Sequence, residues 1–250
     1  MVDARPTFVD TRYNRQELVP QLGSEAQSKL GAGRVVVIGA GGVKSPLLYY
    51  LAAAGVGHIR IIDFDLVELS NLNRQILFCE NDIGRNKAEA AYDRLIALNS
   101  EIEIEAISRR LDEGNALSFL EGFDVIVEGG DSSATRFLVN RCCLALDRPM
   151  VHASAQYNYG YVFTVVPHRT ACFECIFPDL DRGHGGSVPV FGVATGIAGV
   201  LGAGEVIKIL TKKGKPIVDG MLSFSGFLSD FLFIPSPRRP NCASCGTEMR

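Results

Sequence analysis

The sequence is short of basic charge. Its 25 lysines and arginines are outnumbered by 28 aspartates and glutamates, giving a formal charge of -3, and the basic residues form no long run. That removes the electrostatic footprint expected of a nucleic-acid-binding protein. A sustained apolar run is also missing. The least polar stretch, residues 188–204, is broken by five glycines and a proline and gives way to Glu205, so no membrane span is predicted. Residues 1–21 are polar and charged, unlike a signal peptide. Cysteine is sparse and odd in number. Four of the seven fall in two C-x2-C pairs, which excludes a disulfide framework and predicts a reducing, cytoplasmic compartment. No linker composition and no internal repeat interrupts the chain.

What is present is 47% hydrophobic residues over 250 positions, enough to bury one large core. Apolar runs of strand type alternate with helical spacing through the first half. Strands are expected at 34–38, 58–63, 102–107, 124–128 and 150–153, and helices at 24–30, 45–54, 86–99, 115–120 and 135–146. The second half reads differently, with longer antiparallel-type strands at 159–166 and 221–234 around a glycine-rich helix at 192–210. The expected fold is α/β: a Rossmann-like doubly wound mixed sheet, parallel in its N-terminal half and antiparallel in its C-terminal strands.

Gly39, Gly41 and Gly42 sit between the first strand and the first long helix. There a sharp turn brings backbone N–H groups and a helix N-terminus to a phosphate. A dinucleotide fingerprint places glycine at the sixth position as well, and this chain has Lys44. The Lys44-Ser45 pair does not make a P-loop, because Val43 precedes it where glycine is required. Lys44 has two open roles: one residue into the helix and facing solvent, or turned toward the phosphates. Asp63, nineteen residues on, stands where an acidic residue grips ribose hydroxyls, and its alternative role is to cap a loop.

Four further motifs are specific in their order and spacing: RYNRQ at residues 12–16, D-x-D-x-V from Asp63, SNLNRQ at 70–75 and GRNKAEAA at 84–91. With GAGGV they resemble the ThiF/MoeB/HesA family, relatives of ubiquitin-activating enzymes that adenylate the C-terminal carboxylate of a small ubiquitin-like sulfur carrier protein. The match runs from Arg12 to the last cysteine pair. It implies a single adenylation domain over residues 1–250 that uses ATP and Mg²⁺. The resemblance puts Arg74 and Lys87 on the triphosphate with Asn71 and Gln75 alongside, and includes Asp65 in the nucleotide set. It also implies that Asp131 binds Mg²⁺, although Asp131 is equally well placed as a helix N-cap. Arg15 is implied to reach the partner's site in a homodimer, as a planar cation delivered to phosphoryl charge in trans. From sequence alone it pairs as readily with Glu17 or Asp10. The chemistry fits these residues, since joining a carboxylate to a phosphate needs control of charge rather than a protein nucleophile.

Cys172, Cys175, Cys242 and Cys245 supply the four thiolates of a closed Zn²⁺ site, which would clamp the C-terminal tail onto the body of the fold. Cys79, Cys142 and Cys143 read as buried small residues on a strand end and a helix. Relatives that bond covalently to their carrier keep a cysteine after the first C-x2-C pair. Here Val188 takes that place, so the reaction is expected to stop at the acyl-adenylate and to leave sulfur to a separate donor. Residues 179–186 are expected to form a crossover loop over the carrier's tail, with His184 solvated. The rival readings are adenylation of another carboxylate, on a peptide C-terminus or a modified tRNA nucleoside, and an NAD(P)-binding oxidoreductase. A binding scaffold without turnover is the third.

Overall fold

Val35, Val36 and Val37 are fully buried in a strand of five residues, β1 (Arg34–Ile38), and point alternately to two different cores. A strand apolar on both faces needs cover on both, which is the condition for a parallel sheet between two helical layers. A computed structural model describes residues 11–130, 132–180 and 188–246 and meets that condition. Asp131, His184 and most of the expected crossover loop lie outside the described residues.

The elements in chain order are α1 (Asn14–Glu17), α2 (Gly23–Ala32), β1, α3 (Lys44–Ala53), β2 (His58–Ile62), α4 (Lys87–Leu98), β3 (Glu103–Ile107), α5 (Ala116–Leu120), β4 (Val125–Glu128), α6 (Ser133–Leu146), β5 (Met150–Gln156), β6 (Tyr159–Val165), α7 (Phe173–Ile176), α8 (Gly192–Thr211), β7 (Gly220–Ser225) and β8 (Asp230–Pro235). They build one mixed sheet in the order β3-β2-β1-β4-β5-β6-β7-β8. The first five strands of that order run parallel, and β6, β7 and β8 pair antiparallel. The expected doubly wound mixed sheet is therefore the observed one. The order reverses between β1 and β4, and a crevice opens there at the carboxyl ends of the strands.

The first core lies under α2, α3, α4 and α8, around Leu47, Leu51, Ile59 and Leu95. The second lies under α5, α6 and α7, around Phe123, Phe137, Phe163 and Phe173. Among the described helices α8 alone is long and apolar enough to cross a membrane. It packs instead on α3, β5 and β6, burying Ala198, Gly199, Gly202 and Ala203. Its small residues permit close approach: a Cβ on Gly199 would stand 2.2 Å from the Val43 carbonyl oxygen.

Three expectations need correction. Residues 221–234 are not one strand but the hairpin of β7 and β8, joined at 226–229, where Ser229 takes a positive φ of 55°. Phe227 and Leu228 make that turn look apolar in sequence. Strand β5 runs to Gln156, three residues beyond its expected end, because its register with β6 continues from Met150↔Val165 to Gln156↔Tyr159. Cys142 and Cys143 are buried on α6, but Cys79 is only half-buried and precedes a 3-10 turn rather than ending a strand. Its sulfur lies 2.6 Å from Arg94 Nη2 and 3.3 Å from Asp82 Oδ2.

Candidate active site

A cavity of about 520 Å³ opens at the β1/β4 reversal. Gly39 follows β1 with φ +86°, a conformation glycine adopts without strain, and its N–H reaches Ile62 O at 2.8 Å. Asp63 follows β2 directly. Its Oδ2 accepts from Ala40 N at 2.7 Å and its Oδ1 from Asp65 N at 2.9 Å. The side chain thus ties the glycine turn to the following loop and lines the cavity as well, so the capping role and a ligand-facing position coexist. Burial raises its pKa, against the two backbone N–H bonds and Lys87.

Asn86 caps α4, accepting from Ala88 N at 2.9 Å and Glu89 N at 3.2 Å while donating to the carbonyls of Asp63 and Asp65. This places Lys87 at the start of the helix with its ammonium turned inward, 3.1 Å from Asp65 Oδ2 and nearly buried. Arg74 stands across the cavity, its guanidinium donating to Ser70 O at 2.9 Å and Asn73 Oδ1 at 3.0 Å. Asn71 accepts from Glu68 N, and Gln75 is buried with no hydrogen-bond partner for its Oε1 among the described residues. Of the expected nucleotide residues, Gly39, Gly41, Asp63, Asp65, Asn71, Arg74, Gln75 and Lys87 line this one cavity. Gly42 lines a smaller neighbouring one. Arg15 is exposed on α1 and does not line this cavity. Asp131, next to Gly130 in sequence, lies outside the described residues.

Residues not singled out in the sequence complete the wall. Arg110 sits 3.8 Å over the ring of Phe64, and Arg109, Leu111 and Thr135 join them. Gly129 and Gly130 form the β4 end. A Cβ on Gly129 would stand 2.1 Å from Lys44 Cε and 2.5 Å from Ile38 O, so only glycine fits. The signal for this pair was available in EGGD, two glycines directly after a buried strand on the ligand-bearing edge of the sheet.

Lys44 does not take the solvent-facing one of its two expected roles. Its side chain passes beneath Gly129, is 2% exposed, and donates to Ala153 O at 3.0 Å. Burial lowers its pKa to about 8, against the pull of Glu128. It lines a second cavity of about 160 Å³ that shares Gly41, Gly129 and Gly130 with the first and continues to the ends of β4 and β5. There Glu128 and His152 face each other in register and are hydrogen-bonded through Oε2 and Nδ1. The other oxygen of Glu128 accepts from Gly130 N at 2.6 Å, and Arg136 Nε donates to Gly130 O at 3.1 Å. Burial works against the Glu128 charge, but His152, Arg136 and Lys44 outweigh it and hold its carboxyl below the ordinary value.

Outside both cavities, Cys172, which precedes α7, and Cys175 on α7 meet Cys242 and Cys245 from beyond β8. The Sγ separations are 3.9 Å for Cys172–Cys175, 3.6 Å for Cys172–Cys242 and 3.5 Å for Cys175–Cys245. All four are buried. Sulfurs bound to one tetrahedral Zn²⁺ at about 2.3 Å stand about 3.8 Å apart, so the group fits such an ion. The backbone N–H of Arg239 points at Cys175 Sγ, 3.4 Å away, as support for a thiolate.

The chain resembles known proteins along nearly all its length. It is 39% identical over 249 residues to the sulfur carrier protein adenylyltransferase of Thermus thermophilus, covering 95% of this chain and 91% of that one. It is 36% identical over 241 residues to the SAMP-activating enzyme E1 of Haloferax volcanii, covering 94% and 88%. It spans about half the length of the MOCS3 adenylyltransferase and sulfurtransferase relatives it matches, 53% for that of Mus musculus. Among solved structures, E. coli MccB with AMPCPP and MccA superposes with a TM-score of 0.87 at 26% identity, covering 97% of this chain and 76% of that one. Residues 13–244 match the ThiF family, and the chain belongs to that family.

Proposed function

We propose that this protein uses ATP to adenylate the C-terminal carboxylate of a ubiquitin-like sulfur carrier protein. One observation carries the reading: the switch-point cavity gathers Asp63, Arg74, Gln75 and Lys87 in a chain so similar to a sulfur carrier protein adenylyltransferase. A carboxylate oxygen of the carrier attacks the α-phosphorus, the bond to the α,β-bridging oxygen breaks, pyrophosphate leaves, and a mixed acyl-phosphate anhydride remains. Two anions must meet for this to happen. Lys87 and Arg74 supply the cations, the Gly39–Gly42 turn supplies backbone N–H groups, and Asp63 takes the ribose hydroxyls.

Mg²⁺ accompanies the triphosphate, and the family pattern assigns it to Asp131. The four cysteines hold Zn²⁺ and pin the tail. Arg15, exposed on α1, serves the partner's site in a homodimer. No cysteine stands between Cys175 and Cys242, and Val188 is exposed where a nucleophile would be needed, so sulfur comes from a separate donor.

ATP–pyrophosphate exchange with a panel of purified carriers tests this. Exchange that depends on a carrier ending in Gly-Gly is the expected result; none with any carrier would overturn it. A second reading, adenylation of a peptide C-terminus, is favoured by the likeness to MccB solved with MccA, and exchange with such a peptide but no carrier would select it. The in-trans arginine predicts that Arg15→Ala and Asp131→Ala subunits, each inactive, regain activity when mixed. Mixtures that stay inactive would remove the composite site.

A further inference from the structure

Among the described residues that line it, the second cavity has a surplus of positive charge. It holds two cations, Lys44 and Arg136, and one carboxylate, Glu128. Both oxygens of Glu128 are taken, one by Gly130 N–H and one by His152. Each cation rests on a backbone carbonyl instead, Lys44 on Ala153 and Arg136 on Gly130. Neither meets a carboxylate within ion-pair distance among the described residues. A fully buried ammonium satisfied by a neutral carbonyl is a costly arrangement, and an anion entering the cavity would relieve it.

Position decides which anion. Lys44 lines this cavity and is absent from the lining of the larger one. The two cavities share the walls Gly41, Gly129 and Gly130, where the glycine turn would bring the α-phosphate. On the adenylation reading the nucleotide fills the β1–β3 side of that wall, which leaves the β5 side for the second reactant. A reacting oxygen has to lie about 3–3.5 Å from the phosphorus, so the acceptor's end group must sit at this shared wall.

We infer that Lys44 binds the acceptor's terminal carboxylate, holding it in the cavity between β4 and β5 in line with the α-phosphate. This rests on the adenylation reading and adds to it a residue that the glycine fingerprint lacks. Glu128 and Arg136 shape the subsite, since they clamp both backbone groups of Gly130. The ammonium moves from the Ala153 carbonyl to the carboxylate and returns when the anhydride departs.

The experiment uses a carrier that supports exchange, prepared with its C-terminal carboxylate free and as the C-terminal carboxamide. Binding of each form is measured calorimetrically with AMPCPP present, to the wild-type protein, Lys44→Gly and Lys44→Met. A charge-assisted hydrogen bond should make the wild type favour the acid about tenfold or more. Both variants should lose most of that preference and raise the KM for the carrier, with ATP affinity unchanged. An unaltered preference in the variants, or none in the wild type, would overturn the assignment. So would a fall in ATP affinity, which would return Lys44 to the nucleotide. Unchanged ATP affinity also certifies that a variant is folded, and Lys44→Gly serves if Lys44→Met is not. Absence of exchange with every acceptor is a different failure: it removes the adenylation reading and this inference together.

Discussion

Strands β4 and β8 have similar lengths and opposite surroundings. All four residues of β4, Val125 to Glu128, are buried, whereas all six of β8 are exposed, including Phe231, Leu232, Phe233 and Ile234. Both are apolar in sequence. One lies at the centre of a parallel sheet between two helical layers; the other is the last strand of an antiparallel extension, with an open edge and no helical layer over it. The contrast separates a frame from a surface. On the parallel side the turns after β1, β2 and β4 are fixed by side chains that also face the cavities, as Asp63 fixes Ala40 and Glu128 fixes Gly130. On the antiparallel side the chain presents apolar residues and places no charge at the site.

If the frame carries the chemistry, the largest effects come from its inward cations. Lys87→Ala should lower carrier-dependent exchange about 10²- to 10³-fold, the scale for losing one preorganised electrostatic contact at developing charge. Ser substitutions at Phe231 and Leu232 should leave ATP affinity unchanged. An exchange assay beside ATP titration checks both. Should the β8 substitutions weaken ATP binding as much as Lys87→Ala does, the separation fails.

Next in size is the cysteine group, which joins the two regions because Cys172 and Cys175 follow β6 and Cys242 and Cys245 follow β8. Cys242→Ser removes one of four ligands from a site whose metal affinity is folding energy. We expect zinc content to fall and the melting temperature to drop by several degrees, with residual ATP binding. Full zinc occupancy in the variant would argue against a four-sulfur site.

How much of this was legible beforehand divides along the same line. Strand β1 is visible because both its neighbours and both faces demand apolar residues, and its bounds agree with the sequence to the residue. The nucleotide set was legible as motif, while the loop holding it was not, since residues 63–86 are positioned by side-chain caps such as Asn86 rather than by periodicity. The β7–β8 turn was hidden by Phe227 and Leu228. The burial of Lys44 was not legible for a physical reason: lysine is almost never fully buried, so an exposed side chain is a natural expectation. Its actual partners depend on the register that sets Glu128 opposite His152, and register between strands separated by a helix does not show in one sequence.

A smaller effect sharpens the comparison in terms of stability. Val127→Ala in β4 should cost about 2 kcal/mol, from lost burial and the cavity left behind. Leu232→Ser in β8, a side chain 65% exposed, should stay within about 0.5 kcal/mol. Urea denaturation of both variants provides the check, and equal losses would mean that β8 is covered in solution.

The smallest effect is a pH dependence of acceptor binding that ATP binding does not share. The Lys44 amine has its pKa lowered by burial to about 8 from an ordinary value of 10.5. Below pH 8 it is charged in both folded and unfolded chains, and the desolvation cost is present in full. Between about 8 and 10.5 the folded protein gives up the proton first, so the unfolded state holds more protons and stability rises with pH over that window. Acceptor affinity runs the other way, because the ammonium that holds the carboxylate is lost through the same range. The free-acid carrier should therefore bind about twofold more weakly at pH 8 than at pH 7 and weaker still at pH 9, while Lys44→Gly stays flat. Glu128, Arg136 and His152 surround the amine; its neighbours hold the Glu128 carboxyl below its ordinary value and burial lowers the His152 pKa, so neither of these two changes charge across this interval. A pH profile of Lys44→Gly with the same slope as the wild type would assign the titration to another group.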